Sequence, residues 1–211
     1  MDMQEKVSAI IEALKEAYPD PKCALESEKD YELMIAVRLS AQCTDERVNQ
    51  VTPALFRRFP TLESFARADV AEVEEYVRSC GCYHHKARDI VLACQALLER
   101  FGGKVPGTME ELLSLPGVGR KTANLLLGDL YQSPGAVVCD THCIRITNKL
   151  GLAQGKEPEK VETQLRAILP PVESSDFCHR IVLHGRAVCT ARNPQCQNCT
   201  LAPYCKAFTG D

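Results

Sequence analysis

Four cysteines near the end of this chain are spaced so that a single metal centre could bind all of them. Cys189, Cys196, Cys199 and Cys205 are separated by six, two and five residues. A four-cysteine zinc site usually pairs two close knuckles, and only Cys196 and Cys199 form a close knuckle here. The looser outer intervals favour an iron–sulfur cluster, whose irons offer separate corners, over zinc, which stays open as an alternative.

A second group of residues, LPGVGRKTA at 115–123, combines glycines with a basic pair. Gly117 and Gly119 permit a tight reversal between two helices and leave backbone N–H groups exposed, an arrangement that can hold a phosphate. Lys121 follows in the first turn of the second helix, where the helix dipole disfavours a cation. From the residues alone, a nucleophilic amine and a lysine that only contacts phosphate are equally supported alternatives.

A third group, VVCDTHCIR at 137–145, contains a carboxylate, an imidazole and a guanidinium. Asp140 is a good N-cap for a following helix, and a capping carboxylate is stabilised in its charged form. It could therefore stand as a fixed negative charge or a proton acceptor beside a developing sugar cation. His142 and Arg145 are one helical turn apart and could contact a backbone phosphate, or be ordinary surface residues.

The elements that carry these groups are predicted to be helices throughout. Apolar residues recur at intervals of three and four, as in Val7, Ile10, Ile11 and Leu14. Helix starts are expected after N-cap residues or at a proline or serine, namely at Asp69, Thr108 with Glu111, Asp140, Pro158 and Ser174 or Ser175. Only the short VVC before Asp140 resembles a strand, so the fold class is predicted to be all-α.

Composition narrows the class of protein further. No apolar run is long enough to span a bilayer, and the N-terminus lacks a secretory pattern, so we expect a cytosolic protein. Most of the eight cysteines outside the group of four are then expected to be reduced thiols in the core. The net charge of −3 gives no global signal for nucleic acid, but residues 178–211 carry four Lys or Arg against one acid.

Together these motifs resemble the endonuclease III family of DNA repair glycosylases, and the likeness runs nearly end to end. LPGVGRKTA is similar to the family's helix–hairpin–helix motif with its catalytic lysine, and VCDTH to the segment that holds its catalytic aspartate. The four cysteines match its [4Fe–4S] ligand pattern. LSAQCTD at 39–45 resembles the segment that inserts a glutamine into DNA, here Gln42, and LHGR at 183–186 also fits.

The resemblance implies an all-α fold in which two helical domains flank a DNA-binding groove. One domain would span 22–133 and contain the helix–hairpin–helix motif at about 108–130. The other would join 1–21 to 134–211 and hold a [4Fe–4S] cluster on the four cysteines. Lys121 and Asp140 would come from different domains.

It also implies a bifunctional enzyme of base-excision repair. Lys121 would attack the sugar of an oxidised or damaged pyrimidine nucleotide with help from Asp140, and a Schiff base would then permit β-elimination at the abasic site. The lysine distinguishes this type from relatives that remove mispaired adenine. The implied partner is damaged double-stranded DNA, bound by a monomer in the bacterial cytoplasm at the nucleoid. The implied DNA contacts are Gln42, Gly117, Gly119, Arg120, His142, Arg145, Arg186 and Arg192.

Two features depart from the family pattern. Cys82 stands where many relatives place a leucine wedge, so Cys82 or Tyr83 is expected to fill the gap left by a flipped base. The net acidity predicts a shallow salt dependence of DNA binding. Two alternatives stay open: a glycosylase for mismatched or alkylated bases on the same scaffold, and a metal-cluster DNA-binding protein without catalysis.

Overall fold

The computed structural model describes residues 1–209; the last two residues of the predicted second domain lie outside the described residues. The chain divides into two compact units. The continuous unit is Cys23–Tyr131, and the split unit joins Met1–Lys22 to the chain from Gln132 onward.

The continuous unit consists of seven α-helices with a 3₁₀ turn at Arg78–Cys80. The helices are α2 (Asp30–Ser40), α3 (Asp45–Arg58), α4 (Leu62–Ala66), α5 (Val70–Val77), α6 (Tyr83–Phe101), α7 (Met109–Leu113) and α8 (Arg120–Tyr131). The longest helix, α6, packs against the helices α2, α4 and α5, while α7 packs on α8 as the helix–hairpin–helix pattern predicts. Phe65 is fully buried, with its ring centroid 5.1 Å from that of Phe59.

The split unit has the helix α11 (Ser174–Ala187) at its centre, in contact with α1 (Met3–Ala17) and α9 (Thr141–Leu150). The predicted apolar stripe of the first helix is buried, since Val7, Ile10, Ile11 and Leu14 are each at most 5% exposed. Three 3₁₀ turns lie at Pro171–Glu173, Cys196–Asn198 and Ala202–Tyr204. The helices are α1 (Met3–Ala17), α9 (Thr141–Leu150), α10 (Pro158–Ile168), α11 (Ser174–Ala187) and α12 (Lys206–Thr209).

Local capping explains where several of these helices begin. The side chains of Asp69, Thr108 and Asp140 accept backbone N–H bonds at the first turns of α5, α7 and α9. Pro158 is the first residue of α10, where its missing N–H costs no helical hydrogen bond. These four starts agree with the prediction from sequence.

The all-α prediction is confirmed: residues 1–209 contain no strand. The one strand-like segment, VVC at 137–139, is buried but has no regular structure. No helix in the described part of the chain is long and apolar enough to cross a membrane. No disulfide joins any of the twelve cysteines, and five of those outside the group of four are buried.

Candidate active site and metal centre

The turn between α7 and α8 requires glycine at its first glycine position. Gly117 has a φ of +73°, and a Cβ there would lie 2.7 Å from Arg38 Nε and 2.8 Å from Asp89 Oδ2. Arg38 and Asp89 form a half-buried ion pair, in which Arg38 Nη2 donates to Asp89 Oδ2 at 2.6 Å. The turn therefore rests on an ion pair that joins α2 to α6, and only a residue without a side chain fits above it.

The second glycine of the turn faces open space instead. A Cβ on Gly119 would meet nothing within 4 Å, and its carbonyl accepts the N–H of Ala123 at 2.9 Å. Arg120 and Lys121 begin α8 directly afterwards, and both side chains are exposed. The first amides of a helix have no partner within it, so this end of α8 can hold an anion beside the lysine amine.

The residues predicted to enter DNA lie on two loops of the continuous unit. Gln42 follows α2 and Cys82 precedes α6, and both are exposed. Both also have left-handed backbone conformations, with φ of 55° for Gln42 and 46° for Cys82. Tyr83 is half-buried, and its ring centroid lies 4.0 Å from that of His84. Non-glycine residues seldom adopt such φ values, so neighbouring structure must hold these two loops in shape.

Asp140 has both of its carboxylate oxygens engaged in the split unit. Oδ1 accepts the Cys143 N–H at 2.7 Å as the N-cap of α9, and Oδ2 lies 3.0 Å from His142 Nδ1. The Asp140 side chain is only 15% exposed. The Cys143 N–H thus holds Oδ1 at the start of the helix, and the His142 imidazole holds Oδ2 in place.

Close packing of α9 on α11 holds the His142 ring in place. A Cβ on Gly185 would lie 2.7 Å from His142 Cδ2 and 3.0 Å from Ile146 Cδ1. The missing side chain at 185 therefore makes room for the imidazole that contacts Asp140. Sequence reasoning selected LHGR only by resemblance and missed this role, since the contact joins residues more than 40 positions apart.

The predicted arginine contacts have different environments. Arg145 Nη2 donates to the Cys189 carbonyl at 2.6 Å, so this guanidinium supports the start of the cysteine segment. Arg186, in the last turn of α11, and Arg192, between the first two cysteines, are exposed. Arg186 and Arg192 are therefore accessible to a phosphate, and Arg145 supports the cysteine segment.

All four cysteines of the C-terminal group line one cavity of about 200 Å³ in the split unit. Burial raises the pKa of the Cys189 and Cys199 thiols, and the neighbouring thiols raise it further. Among residues 1–209, no three potential ligands converge closely enough for a single metal ion. Four thiols that line one cavity can bind a group with several binding corners, such as an iron–sulfur cluster.

A buried histidine of α11 contacts one of these four cysteines. His184 Nε2 lies 3.4 Å from Cys199 Sγ, and its Nδ1 lies 3.3 Å from the Tyr18 hydroxyl. Burial lowers the pKa of His184. A neutral ring that donates from Nε2 to a thiolate and accepts from Tyr18 at Nδ1 satisfies both contacts, as is common around metal ligands.

Comparison with known proteins agrees with this geometry. Residues 35–171 match the model of the HhH-GPD superfamily base excision DNA repair proteins, and residues 189–205 match the iron–sulfur binding domain of endonuclease III. Endonuclease III of Synechocystis sp. is 44% identical over 202 residues, which cover 96% of this chain and 92% of the relative. The chain belongs to the endonuclease III family. It is thus a DNA glycosylase of base-excision repair. The enzymes of this family are DNA glycosylases and abasic-site lyases.

Two solved structures of the family match over the whole chain. They are a non-covalent endonuclease III–DNA complex and a trapped endonuclease III–DNA covalent intermediate. Each is 36% identical to this chain with a TM-score of 0.92, and the match covers 100% of this chain. It also covers 98% of the chain in the non-covalent complex and 99% of the chain in the covalent intermediate.

Family membership also determines the metal centre. The match at 189–205 is to an iron–sulfur binding domain and begins and ends on cluster cysteines. The predicted [4Fe–4S] cofactor is therefore confirmed, and the zinc alternative is set aside. Cys189, Cys196, Cys199 and Cys205 are the residues that would hold it.

Proposed function

We propose that this protein removes oxidised or otherwise damaged pyrimidines from double-stranded DNA and then cleaves the abasic site through a lysine Schiff base. The observation that carries the proposal is the exposed Lys121 amine in the first turn of α8, directly after the open turn at Gly119. DNA binding by the family's solved complexes supports it.

DNA would be bound first through its backbone. The amides around Gly117 and Gly119 and the start of α8 bind phosphate, and the Arg120 side chain adds charge. Because a Cβ at Gly119 would meet nothing in the chain, the DNA backbone can come close to the turn. The damaged nucleotide then flips out of the stack, which costs least where the base is already poorly stacked.

Lys121 in its neutral form would attack C1′ of the flipped nucleotide. A bond forms between the amine nitrogen and C1′, while the N-glycosidic bond breaks and the base leaves with the electron pair and takes up a proton. The sugar ring then opens to a Schiff base, with the ring oxygen protonated. The trapped covalent endonuclease III–DNA intermediate supports this assignment for the family.

Asp140 would assist by its charge and by proton transfer. Its carboxylate is directed by the Cys143 N–H and by His142, so it keeps one orientation while positive charge develops on the sugar. A base, such as the Asp140 carboxylate or water, then takes the 2′ proton of the Schiff base; a C2′–C3′ double bond forms, and the bond between C3′ and its phosphate oxygen breaks as the phosphate leaves with the electron pair. This β-elimination cuts the strand on the 3′ side.

The remaining site residues would bind DNA rather than react. Gln42 would enter the stack opposite the flipped nucleotide, with Cys82 or Tyr83 in the gap that the base leaves. Arg186, Arg192, His142 and Arg145 would contact phosphates. The cysteine segment, held by its cluster, would shape the backbone around Arg192; when bound, the cluster supplies a rigid framework with iron–sulfur redox capacity.

Borohydride trapping tests the proposal. A duplex with one damaged pyrimidine should give a covalent complex with the wild type, and Lys121→Ala should abolish it. Lys104→Ala, which removes an exposed lysine of the same unit, is the matched control and should trap as the wild type does. A complex that survives Lys121→Ala would disprove the Schiff-base role, and a panel of single lesions would identify the preferred base.

A further inference from the structure

Lys86 is a buried lysine near the start of α6 that the proposed chemistry does not use. It is 1% exposed, and its Nζ donates to the Leu39 carbonyl at 2.8 Å and to the Cys80 carbonyl at 2.6 Å. In the part of the chain that the structure describes, no carboxylate pairs with it. A buried charge without an ion-pair partner is unfavourable, so packing alone does not explain why a lysine occupies this position.

The two carbonyls that Lys86 binds lead into the two loops described above. Leu39 lies directly before the glutamine loop, which is residues 40–44. Cys80 is the first residue of the wedge loop, which is residues 80–83 and contains the predicted wedge residue Cys82. The backbone N–H of Lys86 also donates to the Cys82 carbonyl at 3.2 Å. One side chain therefore ties the bases of both loops to the same helix.

A thiol contact joins the same two loops. Burial, together with the neighbouring Cys43 thiol, raises the pKa of Cys80 to about 11. Each loop also contains a non-glycine residue in the left-handed region, Gln42 and Cys82. Such conformations persist only where surrounding contacts hold them. The ammonium of Lys86 is the strongest donor at the junction, because it is charged and carries three N–H bonds.

We propose that Lys86 is a positioning residue that fixes the two loops in one arrangement, so that Gln42 and the wedge loop enter DNA together. This inference rests on the proposed function, in which both loops fill the space around a flipped nucleotide. Lys86 itself touches neither DNA nor the reacting sugar. Because both loops depend on one ammonium, base extrusion and filling of the gap become a single concerted step.

The proposal predicts that base extrusion and Schiff-base chemistry can be separated by mutation. Lys86→Met keeps the length and apolar stem but removes every donor. Lys86→Arg keeps a charged donor at the junction. The matched control is Cys94→Ala, which removes a fully buried side chain from the same helix without touching either loop.

The measurement compares two duplexes for each variant. For Lys86→Met, kcat/KM on a damaged-pyrimidine duplex should fall at least about tenfold, and the fluorescence rise of 2-aminopurine placed opposite the lesion should be lost. Its single-turnover cleavage of a preformed abasic site at saturating DNA should stay within about threefold of wild type, since Lys121 is unaltered. Lys86→Arg should retain most of the fluorescence change, and Cys94→Ala should lower the melting temperature without a selective loss on either duplex.

An equal loss on both duplexes, or a selective loss in Cys94→Ala as well, would overturn the positioning role. A wild type that gives no borohydride adduct would instead overturn the proposed function, so the two failures are distinguishable. If Lys86→Met does not fold, hydrogen exchange of the wild type decides. Peptides covering 39–44 and 80–86 should slow together when lesion DNA binds, and protection of one without the other would contradict the proposal.

Discussion

The His142 imidazole contacts the Asp140 carboxylate, with Nδ1 3.0 Å from Oδ2, at the N-terminus of α9. This pair places a half-buried carboxylate with two fixed hydrogen bonds next to a helix start. A carboxylate held in this way need not reorganise when positive charge develops nearby, which is the condition for electrostatic catalysis. Gly185 allows the pair to form, because any side chain at 185 would occupy the space of the ring.

Asp140→Asn should separate the structural role of this residue from its chemical one. Asparagine is as good an N-cap as aspartate, so the free energy of unfolding should change by less than about 1 kcal/mol. Base removal should fall by about 100-fold or more, because the charge and the proton acceptor are lost. Urea unfolding and single-turnover kinetics check this; full activity with the asparagine variant would contradict the role of Asp140.

Gly185→Ala should disturb the Asp140–His142 pair by displacing the imidazole ring. The added methyl would overlap His142 Cδ2 and Ile146 Cδ1, and overpacking of this kind costs about 1–3 kcal/mol. The cost should be smaller in a His142→Ala background, since the ring that it meets is then gone. A double-mutant cycle in thermal unfolding measures this coupling, and strictly additive effects would argue against the contact.

The two glycines of the α7–α8 turn should behave differently when changed to alanine. Gly117→Ala should destabilise the protein by about 2 kcal/mol, because φ is positive and the methyl meets the Arg38–Asp89 pair. Gly119→Ala should leave stability within about 0.5 kcal/mol of wild type, since its methyl meets nothing in the chain.

DNA affinity should fall about tenfold or more for Gly119→Ala, because the methyl would stand between the turn amides and a phosphate. Fluorescence anisotropy with an abasic-analogue duplex is the measurement. Unchanged affinity in a stable Gly119→Ala protein would show that the backbone of DNA does not approach this turn.

Loss of one cluster ligand should remove the metal centre. Cys196→Ser should abolish bound iron and sulfide, because thiolates are the ligands that iron–sulfur clusters require. The split unit should become protease-sensitive around the cysteine segment, because a short segment between metal ligands loses a constraint on its fold when the metal centre is lost. Cys82→Ser, at an exposed cysteine outside the group, is the control and should keep full iron content.

The cysteines outside the cluster should differ in reactivity with pH. Burial raises the pKa of Cys94 to about 12, so almost no thiolate exists there below pH 10 and alkylation should be negligible at pH 8. Cys82 is exposed and should react first. Iodoacetamide labelling followed by peptide mass spectrometry gives both rates, and early labelling of Cys94 in the native protein would contradict its burial.

The helices and their starts follow from local sequence, which explains why they could be predicted. Asp140 caps α9 and Pro158 begins α10 because capping depends on residues within one turn. The turn at Gly117 and Gly119 was predictable for the same reason. The VVC segment has alternating strand character but no neighbouring strand to pair with among residues 1–209, so it stays irregular.

The supporting contacts of the site could not be predicted, because they depend on packing between distant helices. Lys86 has the sequence appearance of a surface lysine, yet it is buried against two carbonyls from other elements. Gly185 and the Arg38–Asp89 pair are likewise visible only when α9 meets α11 and α2 meets α6. Pattern and resemblance can select reactive residues, but not the partners that orient them.

The central claim is that the Lys121 amine forms the covalent bond to DNA. The most direct measurement is peptide mapping of the borohydride-trapped complex with a damaged-pyrimidine duplex, after protease and nuclease digestion. The adduct should be found on the peptide that contains Lys121 and on that residue alone. An adduct on the N-terminal amine or on another lysine, with Lys121 unmodified, would contradict it.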